Sequence, residues 1–304
     1  MNYDCAVKGE NISKKFKTFT LDIPDLRVPK GFATALIGEN GAGKTTLLNM
    51  LSGIRLDYKG ELTFFDKYSS EEKERRADVK NRIGYTGTGR YYLPQWTVSD
   101  VEEISSLLFD NFDRDEFERY CRELAIFPDS PDGVALKKKC SALSDGTRTK
   151  LMLAGVMARD TDLLLLDEPA SPLDPLMRDK LCQMIGDYIS DGAGEKSVLF
   201  STHNISDMES ITDYAIIMEH GNVVECGFVE DLKEKYILIK GDAQDEEAAS
   251  KILYTMTKNP YGFEGICLAE NLDKLAGMNV SKEIPSLFQI SVAVMKNNTK
   301  MVLK

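Results

Sequence analysis

Nine residues near the start of the chain constrain its fold more than any other stretch. Residues 38–46 read Gly-Glu-Asn-Gly-Ala-Gly-Lys-Thr-Thr and fit the pattern G-x-x-x-x-G-K-[ST] of a phosphate-binding loop. The glycines allow the backbone to curl so that several N–H groups point inward and hold an anion. We therefore predict a nucleotide-binding loop formed by Gly38, Glu39, Asn40, Gly41, Ala42, Gly43, Lys44, Thr45 and Thr46.

The sequence on either side of this loop supports the prediction. Residues 32–37 are a short apolar run that predicts a buried strand. Residues 46–51 follow a helical pattern, and a helix N-terminus favours a bound phosphate. In a loop of this kind Lys44 is placed to reach the outer phosphates, and the Thr45 hydroxyl is placed to bind Mg²⁺.

A second candidate centre follows a run of four leucines. Residues 163–166 predict a buried central strand, and Asp167 and Glu168 stand at its C-terminal end, where parallel sheets bind ligands. One carboxylate there can hold Mg²⁺, and another can activate a water for attack on the γ-phosphate. We predict that Asp167 is the magnesium acid. A further strand over residues 197–203 ends in His203, which could donate to a phosphate, although a lone histidine is more often structural.

Composition narrows the class of protein. The chain has 304 residues and a formal net charge of −11, which argues against a nucleic-acid partner because such surfaces need a basic footprint. No apolar run approaches the ~20 residues of a membrane span. The first residues lack the apolar stretch of a signal peptide. The six cysteines are scattered without a C-x-x-C pair, so we expect buried thiols in a reducing compartment.

Taken in order, the motifs resemble those of the nucleotide-binding subunit of an ATP-binding-cassette (ABC) transporter, over residues 5–235. Residues 38–46 match the Walker A loop of that family, and residues 163–167 match its Walker B strand. The other matching positions are the catalytic glutamate Glu168, the signature at residues 143–147, the D-loop at residues 171–174, the switch histidine His203 and the adenine-stacking aromatic Phe16. From the residues alone, Phe16 would more often be a core phenylalanine.

The resemblance implies a fold and a division of the chain. The expected fold class is α/β, with a P-loop NTPase (RecA-like) core and an antiparallel β subdomain. A helical subdomain is expected as an insertion at about residues 96–160. We expect an ATPase domain over residues 1–240 and a small C-terminal α+β extension over residues 241–304.

The resemblance also implies a mechanism in which one chain is half of an enzyme. ATP and Mg²⁺ bound at the Walker A loop would meet Ser144 and Gly146 of a second ABC ATPase subunit, identical or different. Glu168 would polarise the attacking water, with Lys44 and His203 completing the catalytic set. The movement would reach a separate transmembrane permease, which places the chain at the cytoplasmic face of the cell membrane.

The chain departs from the family pattern at two places. In the signature, Asp145 stands where the family has a glycine, and Thr147 stands where it has a glutamine. The negative charge of Asp145 could weaken closure of the dimer. In the Q-loop, the position of the family's glutamine is taken by Thr88, which puts a magnesium contact from this loop in doubt.

The direction of transport is the least constrained property. Residues 286–290 faintly resemble the tail of bacterial ABC-2 exporter ATPases, so the leading hypothesis is an exporter of a drug, antimicrobial peptide or similar amphiphile. The alternatives are an importer ATPase and a soluble ABC ATPase of translation or DNA repair. Two further stretches have local predictions: residues 69–82 are predicted to be a solvated charged helix, and residues 244–257 an acidic helix.

Overall fold

The computed structural model describes residues 3–87, 92–127 and 136–302, which form three β-sheets and the helices around them. The central sheet has six strands in the order β10-β9-β3-β8-β7-β6. Its members are β3 (Ala33–Ile37), β6 (Ile83–Thr86), β7 (Leu163–Leu166), β8 (Ser197–Thr202), β9 (Tyr214–Glu219) and β10 (Asn222–Phe228). All adjacent pairs are parallel except β9 with β10. Every residue of β3, β7, β8 and β9 is buried, which explains their nearly continuous apolar sequences.

A four-stranded antiparallel sheet covers one side of the nucleotide-loop helix. Its order is β2-β1-β4-β5. The strands are β1 (Cys5–Lys15), β2 (Thr20–Pro29), β4 (Lys59–Phe64) and β5 (Tyr68–Ser69). In β2, Leu21, Ile23 and Leu26 are buried while residues between them are exposed, so one face of the sheet is apolar. This face shares a hydrophobic core with Leu47 and Leu48 of the helix that follows the loop.

Ten α-helices surround the sheets in the described part of the chain. They are α1 (Lys44–Ser52), α2 (Ser70–Arg75), α3 (Ala77–Lys80), α4 (Val98–Leu108), α5 (Arg114–Glu123), α6 (Asp145–Met157), α7 (Pro175–Asp191), α8 (Val229–Lys235), α9 (Glu246–Ala249) and α10 (Leu287–Val302). Helices α4, α5 and α6 contact one another and lie between β6 and β7 in the chain, where the helical insertion was expected. Among the described residues, none of these helices is long and apolar enough to cross a membrane.

The C-terminal region adds a third sheet, of order β12-β13-β11-β14. Its strands are β11 (Tyr236–Gly241), β12 (Thr255–Asn259), β13 (Gly262–Leu268) and β14 (Val280–Glu283). A small core of its own includes Ile239, Leu253 and Phe263. The division between residues 240 and 241 stays a prediction, and β11 crosses it.

Two local predictions were wrong. Residues 244–257 do not form one helix, because α9 ends at Ala249 and β12 begins at Thr255. Residues 69–82 form the two short helices α2 and α3, and Lys73 within them is buried rather than solvated. The Lys73 ammonium donates to the carbonyl of Leu51 at 2.9 Å and so satisfies a C-terminal carbonyl of α1.

Candidate functional site

The predicted phosphate loop joins the C-terminal end of β3 to the N-terminus of α1. Gly41 and Gly43 have φ angles of +89° and +107°, which side-chain-bearing residues adopt only with strain. Gly38 is required for a different reason. A Cβ on Gly38 would lie 2.5 Å from the carbonyl oxygen of Met218, at the end of β9. The glycines therefore allow the loop to curl and to pack directly against the sheet.

Lys44 is buried at the bottom of this loop. Its Nζ donates to the carbonyls of Gly38 at 2.7 Å and Glu39 at 3.3 Å. The same atom lies 3.3 Å from Oε1 of Glu168. The ammonium is thus fixed inside the loop and is paired with the acid that follows β7.

Thr45 and Asp167 meet across the gap between α1 and β7. The Thr45 hydroxyl lies 2.9 Å from Oδ2 and 3.2 Å from Oδ1 of Asp167. Ser201, on β8, donates to Oδ1 of Asp167 at 2.6 Å and orients the carboxylate from behind. Hydroxyl and carboxylate oxygens are the donors that Mg²⁺ prefers, so this pair fits a magnesium ion.

Glu168 and His203 form the next pair. Nδ1 of His203 lies 2.7 Å from Oε2 of Glu168, and the backbone N–H of Glu168 donates to the Ser201 hydroxyl at 2.9 Å. Glu168 has a φ of +50°, a left-handed conformation that is uncommon for residues other than glycine. The bond to Ser201 on β8 holds this backbone conformation, and the carboxylate lies between Lys44 and His203.

Phe16 lies in the turn between β1 and β2 and lines the same cavity as Lys44. Its ring is 5.8 Å from that of Phe19, and the Arg55 guanidinium carbon lies 5.3 Å from the ring centroid. Asp57 holds Arg55 at 3.0 Å, and a hydrogen bond from Lys14 lowers the pKa of Asp57. The Arg55 guanidinium thus packs against the Phe16 ring.

One cavity of about 540 Å³ connects the loop with Phe16 and Glu168, and its volume is within the range of small-molecule sites. Its lining residues are Phe16, Phe19, Glu39, Asn40, Gly41, Gly43, Lys44, Thr45, Thr46 and Glu168. A neighbouring cavity of about 500 Å³ is lined in part by Asp145, Asp167, Glu168 and His203. The structure therefore brings the loop, both acids, the histidine and Phe16 to one place.

The signature residues lie apart from the loop cavity. Ser144 caps α6, since its Oγ accepts from the N–H of Thr147 at 3.1 Å. A Cβ on Gly146 would lie 2.9 Å from the carbonyl oxygen of Pro172. Neither Ser144 nor Gly146 lines the cavity that holds Lys44. The capped N-terminus of α6 is itself an electropositive site for an anion.

Two residues of the site were missed from the sequence, and one prediction falls outside the structure. Ser201 lies inside the strand predicted over residues 197–203. The sequence does not indicate which strand pairs with it, so the contact of Ser201 with Asp167 could not be predicted. Phe19 lines the cavity, but no pattern in the sequence distinguishes it from a phenylalanine of the hydrophobic core. The predicted Q-loop residue, Thr88, lies outside the described residues.

Comparisons with a family model and with individual proteins indicate the same family. The profile of the family described as ABC transporter matches residues 21–171. An energy-coupling factor transporter ATP-binding protein, EcfA2 of Lactobacillus gasseri, is 25% identical over 253 residues, which cover 82% of this chain and 85% of that protein. EcfA2 of Lactococcus lactis is 28% identical over 223 residues, covering 71% of this chain and 74% of that protein.

A solved structure supports the fold. The dimeric structure of an ATP-binding cassette bound to ADP and inorganic phosphate, in a post-hydrolysis state, matches 73% of this chain and 98% of that chain. The TM-score is 0.61 at 20% sequence identity. The likeness confirms the predicted P-loop fold class.

Proposed function

Because this chain is an ATP-binding subunit of the ABC transporter family, and as such binds ATP with Mg²⁺ and hydrolyses it, we propose that it drives a separate membrane-embedded transport protein. The observation that carries the proposal is the convergence of Lys44, Thr45, Asp167, Glu168 and His203 around two neighbouring cavities that share Glu168. An isolated phosphate loop would support only nucleotide binding. The two acids and the histidine beside it add what hydrolysis requires.

We assign the site residues as follows. The N–H groups of the loop and the Lys44 ammonium bind the phosphates, and Phe16 stacks on the adenine. Thr45 and Asp167 hold Mg²⁺, which neutralises charge on the outer phosphates when bound. Glu168 orients the attacking water. His203 holds Glu168 and donates towards the γ-phosphate.

Hydrolysis in this proposal needs two subunits. Ser144 and Gly146 do not line the cavity that holds Lys44, although Asp145 between them lines the neighbouring cavity. We infer, as the family resemblance implies, that they contact the γ-phosphate bound by a facing subunit. Each γ-phosphate would add charge-assisted hydrogen bonds that exist only in the closed pair, so ATP favours closure and hydrolysis favours opening.

The transport direction that we propose is import. The relatives named above are ATP-binding proteins of energy-coupling factor transporters, which favours the importer alternative over the exporter hypothesis. The exporter hypothesis depended on residues 286–290, of which residues 287–290 form the start of α10. We place the chain at the cytoplasmic face of the membrane, attached through its transport partner.

The test is a purification followed by a transport assay. The tagged chain is isolated from membranes of its own host in mild detergent, and the proteins that accompany it at fixed ratio are identified. The complex is then placed in vesicles with the ATPase subunits outside, and ATP is added outside. Lys44→Ala serves as the matched control, because it removes the ammonium that contacts the phosphates.

We expect a multi-helix membrane protein to accompany the chain at fixed ratio. If the protein exports, cargo loaded outside the vesicles should move inside, away from the ATPase side, when ATP is added. Import predicts the opposite: cargo loaded inside leaves towards the ATPase side, and the Lys44→Ala complex shows no such movement. Recovery of soluble proteins or ribosomes alone would refute the transport proposal while leaving ATP hydrolysis intact.

A further inference from the structure

Helix α10 belongs to the core of the ATPase and not to the small core of the C-terminal sheet. Its residues Leu287, Ile290 and Ala293 are buried in the large hydrophobic cluster that contains β9 and the segment after His203. The core of the C-terminal sheet is a separate cluster around Phe263. The last helix of the chain thus returns to the nucleotide-binding part of the protein.

The C-terminal half of α10 is bonded to the turn that supports the phosphate loop. Nδ2 of Asn298 donates to Oε2 of Glu219 at 2.6 Å. Glu219 ends β9 and opens the turn in which the N–H of Gly221 donates to the carbonyl of Ala42, inside the loop, at 3.1 Å. Gly221 is tightly fixed, because a Cβ there would lie 2.0 Å from the carbonyl oxygen of Thr20.

The N-terminal end of α10 is bonded to the segment that follows the switch histidine. The N–H of Leu287 donates to Oε1 of Glu209 at 2.9 Å, and the Lys233 ammonium lies 3.2 Å from the same oxygen. Glu209 is six residues beyond His203. Between them, Ile205 and Met208 are buried in the cluster that includes Leu287.

We propose that α10 is a positioning helix for the nucleotide site, with one end holding the support of the phosphate loop and the other holding the segment of the switch histidine. The proposal rests on the function proposed above. Asn298 acts through Glu219 on the loop that binds the phosphates. Glu209 acts on the placement of His203, which contacts the catalytic acid. Because the two ends reach different parts of the site, they should affect different kinetic constants.

The test compares variants at both ends of α10 in the full-length chain. Asn298→Ala removes the donor to Glu219, and Glu209→Ala removes the acceptor for Leu287 while Glu209→Gln keeps an acceptor oxygen. The matched control is Gln289→Ala. Gln289 accepts from the N–H of Ser286 at 2.9 Å, so its loss weakens the start of the same helix without touching Glu209 or Glu219.

We expect Asn298→Ala to raise KM for ATP about fivefold, with kcat within about twofold of the wild type. A fivefold change in affinity is at the low end of the effects that one site has on another. Glu209→Ala should lower kcat about fivefold with KM within twofold, and Glu209→Gln should restore most of the activity. Gln289→Ala should change neither constant. A purely structural role would instead make all the variants lose activity in proportion to their loss of stability.

Three results would overturn the proposal: wild-type constants in Asn298→Ala, equal kinetic defects in Gln289→Ala, or no rescue by Glu209→Gln. If Asn298→Ala did not fold, the Glu209 pair would decide the matter alone. A wild-type chain that binds no ATP would refute the proposed function itself. Wild-type ATP hydrolysis with unaffected variants would refute only the role of α10.

Discussion

Ser201 connects the two acids of the site and gives the sharpest test of how they are held. Its hydroxyl donates to Oδ1 of Asp167 at 2.6 Å and accepts from the N–H of Glu168 at 2.9 Å. The side chain is fully buried in β8. Ser201→Ala removes one oxygen atom and leaves the shape of the strand unchanged, so its effects report on these two bonds.

The expected magnitude follows from the two partners. A hydrogen bond to a charged group contributes about 1.5–3 kcal/mol, and an N–H left without a partner inside the protein costs about 1–3 kcal/mol. Because the two effects share one atom and are not additive, we expect the free energy of unfolding to fall by about 2–4 kcal/mol. Asp167 would also lose its fixed orientation. We therefore expect the Mg²⁺ concentration for half-maximal ATP hydrolysis to rise about tenfold, equivalent to about 1.4 kcal/mol.

The assay is urea unfolding of the full chain together with a magnesium titration of ATP hydrolysis. Thr34→Val is the matched control, because Thr34 lies on β3, directly beside β8, and is also fully buried. Among the described residues its hydroxyl has no hydrogen-bond partner. Its removal should leave the free energy of unfolding unchanged or raise it by about 1 kcal/mol. A Ser201→Ala protein within about 0.5 kcal/mol of the wild type, with an unchanged magnesium titration, would refute this reasoning.

Three further predictions concern single side chains. Phe16→Ala should raise KM for ATP roughly tenfold, since stacking of a base on an aromatic ring contributes about 1–3 kcal/mol, whereas Phe16→Trp should stay near the wild-type value. Glu168→Gln should lower hydrolysis by at least about 100-fold and accumulate an ATP-dependent dimer in size-exclusion chromatography; a monomer at saturating ATP would contradict the two-subunit mechanism. Burial raises the pKa of the Cys121 thiol to about 12, so only about one thiol in ten thousand is ionised at pH 8. Iodoacetamide should therefore spare Cys121 in the native protein and modify it in guanidinium, as peptide mapping would report.

The fold could be predicted from the sequence where a local pattern alone determines the structure of a segment. The loop at residues 38–46, the leucine strand and the acids after it each have a pattern that depends only on neighbours in the chain. Ser201 could not be assigned a role in this way. Its function depends on the pairing of β7 with β8, and sequence periodicity identifies strands without identifying which strands are adjacent.

Lys73 illustrates a different limit. A run of charged residues predicts a solvated face, yet the Lys73 ammonium is buried and lies 4.8 Å from the centre of the Phe64 ring. Its bond to Leu51 and an ion pair with Glu74 at 2.9 Å replace the lost hydration. Burial lowers the pKa of this lysine. Part of this compensation comes from Leu51, which lies 22 positions away in the chain and which a local charge count does not include.

The same reasoning changes the interpretation of Asp145. From the sequence, an acid in the signature adds negative charge where a nucleotide phosphate would approach. In the structure, Arg148 lies one turn along α6 and its Nη1 is 2.8 Å from Oδ1 of Asp145, while its Nη2 donates to the carbonyl of Leu143 at 2.9 Å. The Asp145 side chain is 91% exposed, so the ion pair adds little to stability, but the two charges balance one another at the start of the helix.

An acid in the first turn of a helix also interacts favourably with the helix dipole. Asp145 therefore supports α6, and Arg148 limits the field that the carboxylate presents to an approaching phosphate. Around the acid, Ser144 caps the helix and Gly146 packs against the carbonyl of Pro172. The departure from the family pattern is thus a change of charge that a neighbouring residue offsets, and the helix N-terminus at which we propose the phosphate contact keeps its cap.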